Sequence, residues 1–170
     1  MSFSTRPART SDVRAIRDMV APLVQARRLV AKDAVTYFES LQQFRVAEVT
    51  TDTGPELVGC GALHVMWEDL AEVRTIAVAP AYRKSGVGHA ILADLIADAR
   101  TLGVSRVFCL TFETSFFAAH GFVPIDGQAV APQVYAELLR SYDEGVAEFL
   151  DLERVKPNTL GNTRMLLTLD

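Results

Sequence analysis

The sequence predicts an α/β fold, a mixed sheet flanked by helices, and three features of its apolar pattern carry that expectation. Two strand-like runs, 44–49 and 57–66, are joined by the turn residues Asp52, Thr53, Gly54 and Pro55, which reads as a β-hairpin. A third run, 72–78, ends at Pro80, whose missing N–H cannot continue a ladder. From Gly86 the apolar period changes from two to 3.6, so a helix follows a strand directly.

In chain order, Thr10 or Ser11 can cap a first helix on which Val13, Ile16, Val20 and Leu23 form one stripe. A second helical stretch, 34–43, precedes the hairpin. The helix after Gly86 carries Val87, Ile91, Leu95, Ala99 and Leu102 on one face, with Gly103 at its C-cap. Residues 104–112 read as a buried strand, 115–120 as a short helix stopped by Gly121, and 122–125 as another strand. The stretch 132–150 looks largely helical, 153–163 looks like a polar loop, and 165–169 can close the sheet. With 170 residues, no internal repeat and no linker, the expectation is one domain over 1–170.

Composition narrows the chemistry. Hydrophobic residues make up 49% and charged residues 22%, as in a soluble globular protein with a core that needs no disulfide or metal staple. Seventeen Lys and Arg against 21 Asp and Glu leave a net charge of −4, so no global positive field exists to hold a nucleic-acid backbone. Apolar stretches fall short of the roughly 20 residues that cross a bilayer, and the N-terminus does not read as a signal peptide. A cytoplasmic protein with neither nucleic-acid nor membrane partners is expected. Cys60 and Cys109 sit in strand-like runs without metal-ligand spacing and read as reduced, buried thiols. His64, His89 and His120 are dispersed, so no metal site is expected.

The informative segment is the strand ending Ile76, Ala77 and Val78 and the loop Arg83-Lys84-Ser85-Gly86-Val87-Gly88-His89 that opens a helix. A loop of this kind aims backbone N–H groups at the positive end of a helix dipole, where a phosphate can be cradled. Arg83, Lys84 and His89 can add charge around a polyphosphate. Two glycines at such a turn also serve purely steric needs. The loop is neither a Walker loop nor a complete dinucleotide fingerprint.

Arg83-Lys84-Ser85-Gly86-Val87-Gly88 matches the acetyl-CoA loop [Arg/Gln]-x-x-Gly-x-[Gly/Ala], and over 5–125, including Phe116-Phe117-Ala118-Ala119-His120-Gly121-Phe122, the chain resembles the GNAT superfamily of N-acetyltransferases. The resemblance implies a mixed, mostly antiparallel central sheet flanked by helices, and acetyl-CoA as cosubstrate. It implies that Ile76, Ala77 and Val78 line the pantetheine arm while Lys84, Ser85, Gly86, Val87, Gly88 and His89 surround the pyrophosphate. It also implies that the Ile76 N–H donates to the thioester carbonyl.

Amine substrates are largely protonated at neutral pH, so the reaction needs a base. Glu72, Arg74 and Ile76 share a strand face if no bulge intervenes, and Glu72 falls where several GNAT enzymes carry their catalytic glutamate. A reference pKa near 4.3 makes it a poor base unless burial raises that value or a water relays the proton. A charge at a strand mouth is the plainer reading. Phe117 stands where many members place a tyrosine acid, so no general acid is assigned.

Within the superfamily the chain resembles short, single-domain N-acetylglutamate synthases of bacterial arginine biosynthesis. The residues that carry this are Cys60-Gly61-Ala62-Leu63-His64, Glu72-Val73-Arg74-Thr75, Leu110-Thr111-Phe112-Glu113-Thr114 and the C-terminal run 148–167. That resemblance implies L-glutamate or a similar amino acid as acceptor. Two carboxylates call for cationic or strongly donating groups; Arg74 and Lys32 are favoured, and Arg164, Thr111 and Asn162 are further candidates. Another small amine, a protein N-terminus, or a non-catalytic acetyl-CoA sensor are the alternatives. The aromatic group Phe112, Phe116, Phe117 and Phe122 reads as core. The helix bearing Tyr135 and Tyr142 reads as amphipathic, able to cover the substrate pocket or to form a homodimer contact.

Overall fold

Strands form at Ser4–Pro7 (β1), Phe44–Thr51 (β2), Gly54–Trp67 (β3), Leu70–Val78 (β4), Arg106–Thr111 (β5), Val123–Pro124 (β6) and Thr163–Thr168 (β7). Helices form at Val13–Gln25 (α1), Ala34–Glu39 (α2), Val87–Thr101 (α3), Thr114–Ala118 (α4), Pro132–Leu138 (α5), Glu144–Phe149 (α6) and Lys156–Thr159 (α7). These come from a computed structural model that describes residues 2–170, apart from the Asn158 side chain. The strands make one sheet in the order β1-β2-β3-β4-β5-β7-β6. The β1–β2, β2–β3, β5–β7 and β6–β7 pairs are antiparallel and β4–β5 is parallel, so the expected mixed, mostly antiparallel sheet is present.

The chain divides into two units, one comprising residues up to His64 with Val73–Asp98, the other Val65–Glu72 with Ala99–Asp170. In the first, Val13, Ile16 and Val20 of α1 pack with Tyr37, Phe44, Val46, Cys60, Ala62 and Ala77. The α1 stripe therefore buries the face that the spacing foretold. Its start differs: a 3-10 turn at Thr10–Asp12 precedes it, and Asp12 rather than Thr10 or Ser11 accepts a backbone N–H, from Arg9 at 2.7 Å. A Cβ at Gly59 would lie 2.6 Å from Val87 Cγ1 and 2.7 Å from Ile91 Cδ1, so α3 rests directly on the β3 backbone. Val87, Ile91, Leu95 and Ala99 are buried as expected, but Leu102 is exposed because α3 ends at Thr101.

In the second unit Met66, Leu70, Phe108, Leu138, Val146, Phe149 and Leu150 form the core, with Phe108 edge-on to Phe149 at 5.2 Å. Phe117 and Phe122 are buried, whereas Phe112 is exposed and so is not core. The expected helix over 132–150 is interrupted between Leu138 and Glu144. There Ser141 Oγ accepts the Asp143 N–H, and Asp143 Oδ1 accepts the Val146 N–H to start a new helix. The expected loop over 153–163 contains a 3-10 turn at Glu153–Val155 and then α7. Among the described residues no helix is long and apolar enough to cross a membrane.

Candidate active site

In the first unit, β4 runs into a 3-10 turn at Pro80–Tyr82 and then the loop that opens α3. Lys84 (φ 62°) and Gly86 (φ 89°) both take left-handed backbone conformations on either side of Ser85. Such a winding gathers successive N–H groups toward one side, the geometry of an anion-binding nest. The Ala90 N–H donates to Gly86 O at 3.0 Å and closes the first helical turn, so the N–H groups of Val87, Gly88 and His89 lie at the open end of a 15-residue helix. Arg83, Lys84, Ser85 and His89 are exposed around that end. A Cβ at Gly86 would meet nothing within 4 Å, so its backbone angle rather than crowding calls for glycine. Ile76 and Val78 are half-buried, while the Ala77 side chain belongs to the α1 core.

Thr75 departs from what the sequence suggests. It lies inside β4 at φ 59°, a conformation that disfavours a β-branched residue. Cys60 Sγ donates to Thr75 O at 3.6 Å. A left-handed residue in a strand is a local backbone irregularity of the kind seen at bulges. The strand nevertheless continues to Val78, with Arg74, Ile76 and Val78 half-buried and Thr75 and Ala77 buried.

In the second unit, Glu72 pairs in parallel register with Phe108 and is only 3% exposed. Its carboxyl lies against α6: a Cβ at Gly145 would overlap Glu72 Oε2 and lie 2.8 Å from Glu72 Cδ and 3.0 Å from Asp143 Oδ1. Thr111 is buried at the end of β5, its Oγ1 accepting the Glu113 N–H at 2.8 Å. Across the β5–β7 ladder Leu110 faces Arg164 and Thr111 faces Thr163, and Asn162 sits in the turn just before. Arg164 donates to Phe149 O at the end of α6 and to Gly127 O at 3.1 Å; burial lowers the proton affinity of its guanidinium. Lys32, half-buried between α1 and α2, and Arg74 belong to the first unit.

Both cysteines are free and buried. Burial pushes the Cys60 thiol up to about 12, and burial with the Glu72 charge pushes Cys109 higher still. Neither is a thiolate near neutral pH. Among the described residues no group of three or more His, Cys, Asp or Glu is placed to hold a metal.

Residues 21–123 match the family model of the GNAT acetyltransferases. The chain belongs to the GNAT family. It is therefore an acetyltransferase, and acetyl-CoA is the donor that GNAT enzymes use. An amino-acid acetyltransferase of Mycobacterium tuberculosis is 56% identical over 164 residues, 96% of this chain and 93% of the relative. An amino-acid acetyltransferase of Shewanella oneidensis is 33% identical over 135 residues, 78% of this chain but 29% of the relative, so the chain spans under a third of that longer protein. A crystal structure from M. tuberculosis, in complex with CoA and a second ligand, shares 54% identity at a TM-score of 0.93, covering 98% of this chain and 99% of the other. The N-acetylglutamate synthase of Neisseria gonorrhoeae, complexed with coenzyme A and N-acetyl-glutamate, has a TM-score of 0.76 at 23% identity, covering 100% of this chain and 36% of its own, a likeness of fold.

Proposed function

We propose that this GNAT enzyme acetylates the α-amine of L-glutamate, giving N-acetylglutamate and CoA as the first step of arginine biosynthesis in the cytoplasm. The observation that carries the amino-acid part is the nearly full-length identity with the M. tuberculosis amino-acid acetyltransferase. Glutamate is favoured by the residue runs shared with short N-acetylglutamate synthases and by the supply of cations for two carboxylates. Arg74 and Lys32 are the preferred carboxylate readers, and Arg164, whose guanidinium donates to two backbone carbonyls, is a further candidate.

In this reading the pyrophosphate of acetyl-CoA lies on the N–H groups of residues 84–89, with Arg83 and Lys84 adding charge. The pantetheine amides pair with the β4 backbone at Ile76, Ala77 and Val78, as an added strand would. The Ile76 N–H, which follows the left-handed Thr75, donates to the thioester oxygen as negative charge builds there. Glu72 takes the ammonium proton, directly or through a water. The amine attacks the acetyl carbon, the C–S bond breaks, CoA leaves as thiolate, tolerable for a thiol with a pKa near 8.5, and the second proton of the attacking nitrogen passes to that thiolate or to solvent. Two buried, protonated cysteines favour direct transfer over an acetyl-enzyme.

CoA release measured with a panel of free amino acids and N-terminal peptides tests the acceptor. Turnover with glutamate at least about tenfold above the other acceptors in kcat/KM is expected. Preference for peptides or for another amine refutes glutamate, and acetyl-CoA binding without turnover on any acceptor refutes the catalytic reading. Acetylated Cys60 or Cys109 in rapidly quenched enzyme contradicts direct transfer.

A further inference from the structure

Glu72 has a neighbour that its own strand does not provide. The point where a Gly145 Cβ would sit is in contact with both Glu72 Oε2 and Asp143 Oδ1, the latter 3.0 Å away, so the two oxygens are at most about 5 Å apart. That spacing puts the two carboxyls within the about 4–6 Å over which like charges raise each other's proton affinity. Gly145 is buried and its backbone is unstrained, so its missing side chain is what admits the Glu72 carboxyl to this position.

We propose that Asp143 and Gly145 are positioning residues for the general base: Gly145 provides the space in which the Glu72 carboxyl is seated, and the Asp143 charge makes that carboxyl basic enough to accept a proton near neutral pH. The inference rests on Glu72 being the base. Asp143 is itself held in place, because its Oδ1 accepts the Val146 N–H at 3.2 Å as the cap of α6 and its N–H donates to Ser141 Oγ at 3.1 Å. From α6, Glu148 is buried and Glu144 is paired with Arg154. From β5, Cys109 feels the Glu72 charge but stays a protonated thiol. Arg74 follows on Glu72's own strand, and β3 on its other side carries His64. Asp143 is therefore the anion that can be neutralised without disturbing the strand.

Asparagine caps a helix about as well as aspartate, so Asp143→Asn removes the charge and keeps α6. The acidic limb of kcat/KM against pH should move to lower pH by about one unit, with the melting temperature and acetyl-CoA affinity retained. Gly145→Ala, which pushes the Glu72 carboxyl aside, should lower kcat by about tenfold or more while KM for acetyl-CoA holds. Glu72→Gln, measured alongside, abolishes that limb if Glu72 is the base. An Asp143→Asn limb that stays in place while Glu72→Gln loses its own overturns the coupling alone. A limb that survives Glu72→Gln overturns both the coupling and the assignment of the base.

Discussion

At Glu72 the chain buries a carboxyl to 3% exposure on β4, and in the proposed mechanism it is the base on which transfer depends. Glu72→Gln should leave acetyl-CoA affinity intact and lower kcat by about 10²- to 10⁴-fold, read by calorimetry and by CoA release. Truncating Lys32 or Arg74 to alanine should raise KM for glutamate about 10- to 100-fold, since charge-assisted hydrogen bonds are worth about 1.5–3 kcal/mol, and leave KM for acetyl-CoA near its original value. The loop 83–89 and Glu72 could be proposed from glycine spacing and strand position only together with the family resemblance. The left-handed Thr75 was not legible, because a β-branched residue is among the last that local preference would put there. Asp143 and Gly145 left a faint signal: a glycine shortly after a capping residue inside a stretch read as one helix.

Elements report the same division between local and distant causes. The hairpin and α3 could be read because their periods and turn residues are local. β1 could not, since four residues reading Ser-Thr-Arg-Pro have no apolar alternation and owe their strand to pairing with β2. The break between α5 and α6 depends on Ser141 and Asp143 capping against a core contributed by β5. The contact of α3 with β3 depends on having no side chain at Gly59. Gly59→Ala should destabilise the fold by about 1–3 kcal/mol in denaturant unfolding, because Val87 and Ile91 must give way. Gly86→Val acts differently. It meets no neighbour but must adopt φ 89°, so the loop should rearrange and raise KM for acetyl-CoA more than it lowers stability.

For the molecule as a whole, acid sensitivity should begin near the N-terminus. The Arg6 guanidinium donates to Asp12 at 2.7 and 3.1 Å and to Glu48 at 2.8 Å, tying β1 to the start of α1 and to β2. The Arg6 hydrogen bonds hold the Asp12 carboxyl below its ordinary range despite its burial. A carboxyl whose proton affinity falls on folding contributes stability above its unfolded-state value near 3.9, and that contribution is lost as pH drops through the lower folded-state value. Asp12→Asn should therefore be less stable than the parent at pH 7, with the gap narrowing below about pH 4 in pH-dependent thermal melts. The placement of β7 between β5 and β6 lay beyond sequence reasoning, since no local pattern states which distant strands pair. Both rims of the sheet end in proline, Pro7 on β1 and Pro124 on β6, and both outermost strands are short. A rim built this way offers little for a stray chain to zip onto. Removing the first eight residues would uncover the backbone of residues 45–48 of β2, the stretch that pairs with β1, so the shortened protein should scatter light on mild warming at concentrations where the parent stays clear.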